Sequence, residues 1–164
     1  MKKQNLKVSI VMGSKSDMDT VQEAVNILKR FDVGFEVKIL SAHRTPRDLV
    51  QYVEKLPARG IKVVIAAAGM SAALAGTIAA HSILPVIGIP IDTKSLKGID
   101  SLLSTVQMPK GIPVACMSIG KSGAQNAAIL AAQILALSDK ALKKKLVQFK
   151  KDMAKAVRKL NIKR

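Results

Sequence analysis

Lys-Val-Val-Ile-Ala-Ala, at residues 62–67, is a near-continuous apolar run in the middle of the chain. Such a run is typical of a parallel strand that helices cover on both faces. Similar apolar runs lie on either side of it, at residues 7–12, 36–40, 85–90 and 112–117. These runs, each separated from the next by a longer segment, predict a parallel β-sheet at the centre of the fold.

The segments between the runs carry apolar residues at helical spacing. They predict helices that start near residue 16 and over about 46–56, 71–81, 99–106 and 123–137. The alternation of strands and helices predicts an α/β fold with right-handed crossovers and helices on both faces of the sheet. A last helix, about 139–164, has an apolar stripe that we expect to pack on a neighbouring subunit; the stripe consists of Leu142, Leu146, Phe149, Met153 and Leu160.

Length and composition predict one cytoplasmic domain spanning residues 1–164. A chain of 164 residues can bury roughly two-thirds of its unfolded surface in a single core. That core must be aliphatic, because the chain has three phenylalanines, one tyrosine and no tryptophan. A single cysteine, Cys116, excludes an internal disulfide and favours a reducing compartment. We expect neither an export-type leader, because the first apolar run ends at Gly13 without a cleavage pattern, nor a membrane span, because no apolar stretch approaches the roughly 20 residues that one needs.

The formal net charge of +16 raises the possibility of a nucleic-acid-binding protein. Much of the excess positive charge lies between residues 140 and 164. Proteins that bind single strands usually place stacking aromatic residues among such charges, and this segment has only Phe149. We therefore interpret the basic segment as a solvated helix face, and nucleic acid is the less favoured partner.

Ligands of an open parallel sheet bind beyond the carboxyl ends of the strands. Three predicted strand-to-helix loops, at residues 13–17, 41–46 and 68–76, are rich in small and polar residues, so we expect one shared site there. The candidate substrate-binding residues on these loops are Gly13, Ser14, Ser16, Asp17, Ser41, Ala42, Arg44, Gly69, Ser71 and Leu74.

The first loop can face an anion with the backbone amides of a helix start. Its simpler interpretation is ordinary capping, because Ser16 and Asp19 have the spacing of a capping box. Asp17 could accept hydrogen bonds from ribose hydroxyls or could complement the helix dipole.

His43 is the candidate catalytic residue of the second loop. Thr45, Pro46 and Asp48 predict a capped helix start directly after it. A helix N-terminus disfavours imidazolium, so we expect a neutral histidine that can exchange protons with a substrate. The forked donors of Arg44 suit a phosphate group.

The remaining reactive side chains carry weaker signals. Gly69 and Gly76 allow close approach to a ligand, but they equally allow close helix packing. Cys116 is expected in the core, and His81 is expected to be structural. The sequence has no cluster of metal ligands and no serine–histidine–aspartate arrangement in suitable loops.

Several segments, in order along the chain, resemble one enzyme family. They are Val-Met-Gly-Ser-Lys-Ser-Asp (11–17), Ser-Ala-His-Arg-Thr-Pro (41–46), Asp-Ser-Leu-Leu-Ser (100–104), Val-Gln-Met-Pro (106–109) and Asn-Ala-Ala-Ile-Leu-Ala-Ala (126–132). Together they are similar to the catalytic subunit of phosphoribosylaminoimidazole carboxylase. In most bacteria, members of this family are 5-(carboxyamino)imidazole ribonucleotide mutases of purine synthesis.

The resemblance implies a flavodoxin-like, three-layer α/β/α sandwich that assembles as a homo-octamer, with active sites at subunit contacts. It implies a ribonucleotide substrate, carbon dioxide as the transferred group, and neither a metal nor an organic cofactor. His43 would shuttle the proton between the exocyclic nitrogen and carbon 4 of the imidazole. Ser14 and Asp17 would bind substrate, and Arg44 would lie toward the phosphate. A functional link to an ATP-dependent synthetase of the N-carboxylated substrate would follow.

The third loop departs from the bacterial mutase pattern. That pattern usually reads Gly-Gly-Ala-Ala-His-Leu-Pro-Gly, whereas residues 69–76 here are Gly-Met-Ser-Ala-Ala-Leu-Ala-Gly. Ala73 replaces the loop histidine and Ala75 the proline. Ser71 and Leu74 instead resemble the second class of the family, which carboxylates aminoimidazole ribonucleotide directly. That class, however, carries lysine at Arg44 and arginine at Met70. The sequence leaves both carboxyl donors open.

Overall fold

A computed structural model describes residues 5–160 and contains a five-stranded parallel sheet. The order of the strands is β2-β1-β3-β4-β5. Their bounds are Val8–Met12 for β1, Phe35–Ile39 for β2, Val63–Ala68 for β3, Val86–Pro90 for β4 and Ala115–Cys116 for β5. This is the flavodoxin-like order, in which the chain reverses direction across the sheet between β1 and β3.

Six α-helices are described on the two faces and at the end of this sheet. They are α1 Met18–Arg30, α2 Pro46–Glu54, α3 Leu74–Ala80, α4 Ile99–Val106, α5 Gly120–Ala136 and α6 Lys140–Lys159. Helices α1 and α5 pack together over one face, and α2 and α3 cover the other. The predicted α/β class and the three-layer arrangement are confirmed.

The two apolar cores follow from the alternation of side chains along each strand. In β1, Val8 and Ile10 enter the core beneath α1 and α5, whereas Val11 enters the core beneath α2 and α3. Both faces of β3 are buried in the same way, so its sequence is apolar throughout. The central strands were therefore the easiest elements to predict.

A polar network ties α2 to the sheet. Ser9, which is fully buried on β1, hydrogen-bonds the Tyr52 hydroxyl at 2.7 Å. The Tyr52 hydroxyl donates to Glu36 Oε1 of β2 at 2.6 Å, and Arg59 forms an ion pair with the same carboxylate. Burial raises the pKa of Glu36, but the hydrogen bonds from Arg59 and Tyr52 outweigh it and hold that pKa below 4.5. Burial and the Glu36 hydrogen bond raise the pKa of Tyr52 to about 12.

Several predicted boundaries were wrong. The fifth strand, expected over 112–117, consists only of Ala115–Cys116, because Pro113 cannot donate a ladder hydrogen bond and the strand lies at the sheet edge. The third helix begins at Leu74 instead of Ser71, since Met70 has the left-handed φ of 58° and the chain turns again before Ala73. Helix α5 begins at Gly120, ahead of the expected Gly123.

The apolar stripe of the last helix is divided between two environments. Leu142 and Phe149 are buried against their own subunit, and Phe149 meets Phe31 edge-on at 5.4 Å between ring centroids. Met153 and Leu160 are 49% and 78% exposed. The expectation that the whole stripe packs on a neighbouring subunit was therefore wrong for its first half. No helix within residues 5–160 is both long and apolar enough to cross a membrane.

Candidate active site

A cleft of about 820 Å³ lies at the carboxyl edge of the sheet. The loops that follow β1, β2 and β3 form most of its wall, at the switch point that the strand order creates. All of the candidate residues line this one cleft: Gly13, Ser14, Ser16, Asp17, Ser41, Ala42, His43, Arg44, Gly69, Ser71 and Leu74. The structure thus brings together three loops that lie far apart in the sequence.

The loop after β1 is closed by a capping box, although a different one from that predicted. Ser14 is the N-cap; its Oγ accepts from the Ser16 amide, and its own amide donates to Asp17 Oδ2 at 3.1 Å. The expected pairing of Ser16 with Asp19 was wrong, because a turn of 3-10 helix, Lys15–Asp17, precedes α1. Burial raises the pKa of Asp17 against the opposing effect of these hydrogen bonds and of Arg44. The carboxylate of Asp17 therefore orders the loop. The residue is only 7% exposed to solvent, so little of it can reach a ligand.

The loop after β2 carries His43 and Arg44, both exposed at the rim of the cleft. Thr45 precedes α2 at the expected position, but its hydroxyl makes no cap. Instead it binds back to Ser41, accepting from the amide at 3.0 Å, so the predicted capping box with Asp48 was wrong. Ser41 Oγ accepts in turn from the Arg44 amide at 3.2 Å. These bonds close residues 41–45 into a compact turn that presents His43.

Arg44 links two of the loops. Its Nη2 donates to the carbonyl oxygen of Gly13 at 2.7 Å, and its Nε donates to Ser41 Oγ at 3.3 Å. The guanidinium remains exposed and keeps N–H groups for an anion. Arg44 therefore places a positive charge at the mouth of the cleft beside the carboxylate of Asp17.

The loop after β3 packs tightly against the residues that follow β4 at its first position, Gly69. A Cβ on Gly69 would lie 3.0 Å from Thr93 Cγ2 and 3.5 Å from Ile91 Cβ. The next residue, Met70, is 68% exposed and has φ of 58°. Ala72 is buried again. The loop is thus held at both ends around Met70.

A fourth loop, which was not predicted from the sequence, contributes Ile91, Asp92 and Thr93 to the cleft. The signal was available, because these residues follow β4 as the other loops follow their strands. Beneath them, Thr93 Oγ1 donates to Asp100 Oδ2 at 3.4 Å. The other carboxylate oxygen of Asp100 is buried and has no hydrogen-bond partner within residues 5–160. Four more wall residues lie in the predicted third loop but were not named as substrate-binding candidates: Ala68, Met70, Ala72 and Ala73.

Cys116 and His81 lie away from this cleft. Cys116 is half-buried on the edge strand, so its expected place in the core was only partly right, and burial raises the pKa of its thiol. His81 ends α3, as expected, with its side chain exposed. Within the described part of the chain, no three His, Cys, Asp or Glu side chains are grouped so that they could hold a metal ion.

Residues 7–156 match the family model described as AIR carboxylase. The chain belongs to this family. The match spans every described strand and the four loops of the cleft, so the site is part of the region that the family shares.

Similar proteins from three organisms are named N5-carboxyaminoimidazole ribonucleotide mutase. The Bacillus subtilis (strain 168) protein is 55% identical over 85% of this chain and 86% of its own length. The Saccharolobus solfataricus protein is 51% identical over 90% and 92%, and the Vibrio parahaemolyticus protein is 50% identical over 93% and 94%. Among solved structures, Treponema denticola PurE has a TM-score of 0.84 at 30% identity, covering 94% of this chain and 98% of its own.

Proposed function

We propose that this member of the AIR carboxylase family is an N5-carboxyaminoimidazole ribonucleotide mutase of purine synthesis. It moves the carboxylate of N5-carboxyaminoimidazole ribonucleotide from the exocyclic nitrogen to carbon 4 of the imidazole. The observation that carries the proposal is the position of His43. A closed turn presents this histidine at the rim of a cleft that lies beyond the carboxyl ends of four strands. Relatives of about half-identical sequence with the mutase name, matched over most of their length, support the same activity.

The reaction requires one group that gives a proton and takes one back, and no net exchange of protons with solvent. The bond between the exocyclic nitrogen and the carboxylate carbon breaks and releases carbon dioxide. Carbon 4 then forms a new bond to that carbon dioxide. The exocyclic nitrogen gains one proton as its carboxylate leaves, and carbon 4 loses one after the new bond has formed. His43 can therefore supply the first proton, accept the second and end in its starting state. Atoms and charge balance without an oxidant, a nucleoside triphosphate or added water.

The residues of the cleft suggest where the substrate phosphate would lie. The exposed guanidinium of Arg44 suits the phosphate, because its planar donors can form paired hydrogen bonds with two phosphate oxygens. Ser14 and Ser16 offer hydroxyls at the same mouth, and Asp17 holds their loop in place. The other candidates, Gly69, Ser71 and Leu74, then form the wall on the opposite side.

Direct carboxylation of aminoimidazole ribonucleotide is the competing reaction, because Ser71, Ala73 and Leu74 give the third loop some likeness to the second family class. The mutase name of the similar proteins favours the first reaction. Purified protein incubated with each ribonucleotide in turn, with and without bicarbonate, separates the two. Conversion of the N-carboxylated substrate without ATP supports the mutase. Activity only with aminoimidazole ribonucleotide and bicarbonate contradicts it.

His43→Asn tests the proton role in the same assay. Asparagine preserves hydrogen bonding but cannot exchange a proton near neutral pH, so turnover should be lost while assembly is unchanged. His81→Asn, at the other histidine of the chain, is the matched control and should retain full activity. Unchanged turnover in His43→Asn would refute the assignment.

A cytoplasmic homo-octamer is the assembly we infer for this enzyme. Exposed apolar side chains support subunit contacts; they include Ile99, Leu103 and Val106 on α4 and Met153, Val157 and Leu160 toward the end of α6. Light scattering gives the mass of the assembly directly.

A functional link to an ATP-dependent synthetase that supplies the N-carboxylated substrate is part of the same proposal. Gel retardation of nucleic acid at about 150 mM salt would instead support the alternative that the chain is a nucleic-acid-binding protein.

A further inference from the structure

Met70 differs from every other large apolar residue of the cleft wall. Leu74 and Ile91 line the same cleft but are 2% and 7% exposed, because their side chains belong to the cores. Met70 is 68% exposed. Most of the remaining wall consists of glycine, alanine and serine. One flexible apolar side chain is therefore available to whatever occupies the cleft.

The backbone at Met70 is in a conformation that methionine disfavours. Its φ of 58° lies in the left-handed region, where a side chain clashes with the following carbonyl and glycine is preferred. The preceding Gly69 is packed against Thr93 and Ile91, and the following Ala72 is buried. Strain of this kind persists where the surroundings fix the backbone, and it is frequent at ligand sites. A methionine at this position therefore points to a use for its side chain.

We propose that Met70 is the apolar cover that keeps released carbon dioxide within reach of carbon 4. This inference rests on the proposed mutase function. Carbon dioxide is small and uncharged, so only exclusion of solvent and close packing can retain it between the two steps. A methionine side chain can fold over an irregular ligand surface, because it is unbranched and polarisable. The small residues beneath it leave no other large exposed apolar group on the described wall.

Isotope partition tests the cover directly. Unlabelled N-carboxylated ribonucleotide is mixed with excess enzyme in ¹³C-bicarbonate buffer containing carbonic anhydrase, and the reaction is quenched within one turnover. Mass spectrometry gives the labelled fraction of the C-carboxylated product and the amount of free aminoimidazole ribonucleotide, each corrected by a blank without enzyme. The variants are Met70→Gly, which removes the side chain, Met70→Leu, which preserves apolar volume, and Met70→Gln, which preserves length.

The wild type and Met70→Leu should give largely unlabelled product and little free aminoimidazole ribonucleotide. Met70→Gly should raise both readings several-fold, and Met70→Gln should do so to a smaller extent, because a polar group admits water. Glycine also relieves the backbone strain, so a folding defect cannot account for such a result. Equal labelling in the wild type and Met70→Gly would refute the role of Met70 alone. A wild type that makes no C-carboxylated product from the N-carboxylated substrate would refute the proposed function, and this inference with it.

Discussion

Replacing Ser9 with alanine should destabilise the wild-type protein but stabilise the Tyr52→Phe variant. Tyr52 donates its proton to Glu36, so the fully buried Ser9 hydroxyl must donate to Tyr52. Tyr52→Phe removes both bonds at once. Loss of the bond to the carboxylate costs about 1.5–3 kcal/mol, and the stranded Ser9 hydroxyl adds about 1–3 kcal/mol. Because Arg59 still pairs with Glu36, we expect a total of about 3 kcal/mol, near the lower end.

Ser9→Ala alone is milder, because Tyr52 keeps its bond to Glu36 and only one neutral hydrogen bond is lost. That change should cost about 1 kcal/mol. In the Tyr52→Phe background the same substitution removes an unpaired buried hydroxyl, so it should restore about 1–2 kcal/mol. The sign of the Ser9→Ala effect therefore reverses.

Urea unfolding followed by far-ultraviolet circular dichroism measures all four proteins of this double-mutant cycle. The protein concentration must be held constant, because association raises the apparent free energy of unfolding. Equal effects of Ser9→Ala in the two backgrounds would refute the network as described. Ser9→Cys, which retains a weak donor, is a further control and should fall between serine and alanine in the wild-type background.

Two other predictions concern the sheet. A Cβ on Gly88 would lie 2.4 Å from Thr105 Cγ2, so Gly88→Ala should cost about 1–3 kcal/mol in chemical denaturation; Thr105→Ser, which removes that methyl group, should restore much of the loss, and absence of rescue would contradict the packing. The lowered pKa of Glu36 means that its contribution to stability is fully present above pH 4.5 and is lost as the pH falls through the folded-state pKa. The difference in free energy of unfolding between wild type and Glu36→Gln should therefore shrink below pH 4.5. A difference that does not change with pH would contradict a lowered pKa for Glu36.

The parts of the fold that the sequence predicted are those decided by burial. Strands β1, β3 and β4 are buried on both faces, so apolar runs located them to within a residue at each end. The edge strand β5 was overestimated, because edge pairing depends on a proline and on local geometry that an apolar run does not reveal. The position of the cleft was predictable for the same reason as the sheet, since parallel strands end at one edge.

The local hydrogen bonds around the site were less predictable. Ser14 and Ser16 both precede an acidic residue by three positions, and only the inserted 3-10 turn selects Ser14 as the cap. Thr45 has the sequence of an N-cap, yet its hydroxyl turns back to Ser41. These choices depend on a few atoms whose alternatives are close in free energy. Motif spacing therefore located the loops correctly but assigned several of their contacts wrongly.

The last helix shows how a correct pattern can have two meanings. Its stripe was recognised from spacing, which does not say which surface covers it. The first half is fixed to this subunit by Phe149 against Phe31 and by an ion pair between Lys145 and Asp32 at 2.6 Å. The second half extends beyond the rest of the subunit, and its apolar residues are exposed. Only the three-dimensional structure could divide the stripe in this way.

The most direct test of the proton-transfer role of His43 is a crystal structure of the chain with the C-carboxylated ribonucleotide bound. We expect the imidazole of His43 within about 3.5 Å of carbon 4 or of the exocyclic nitrogen, the contact distance that proton transfer requires. The phosphate should lie on the side of Arg44. A base that occupies the cleft with another side chain against carbon 4, and with His43 in solvent, would contradict the central claim.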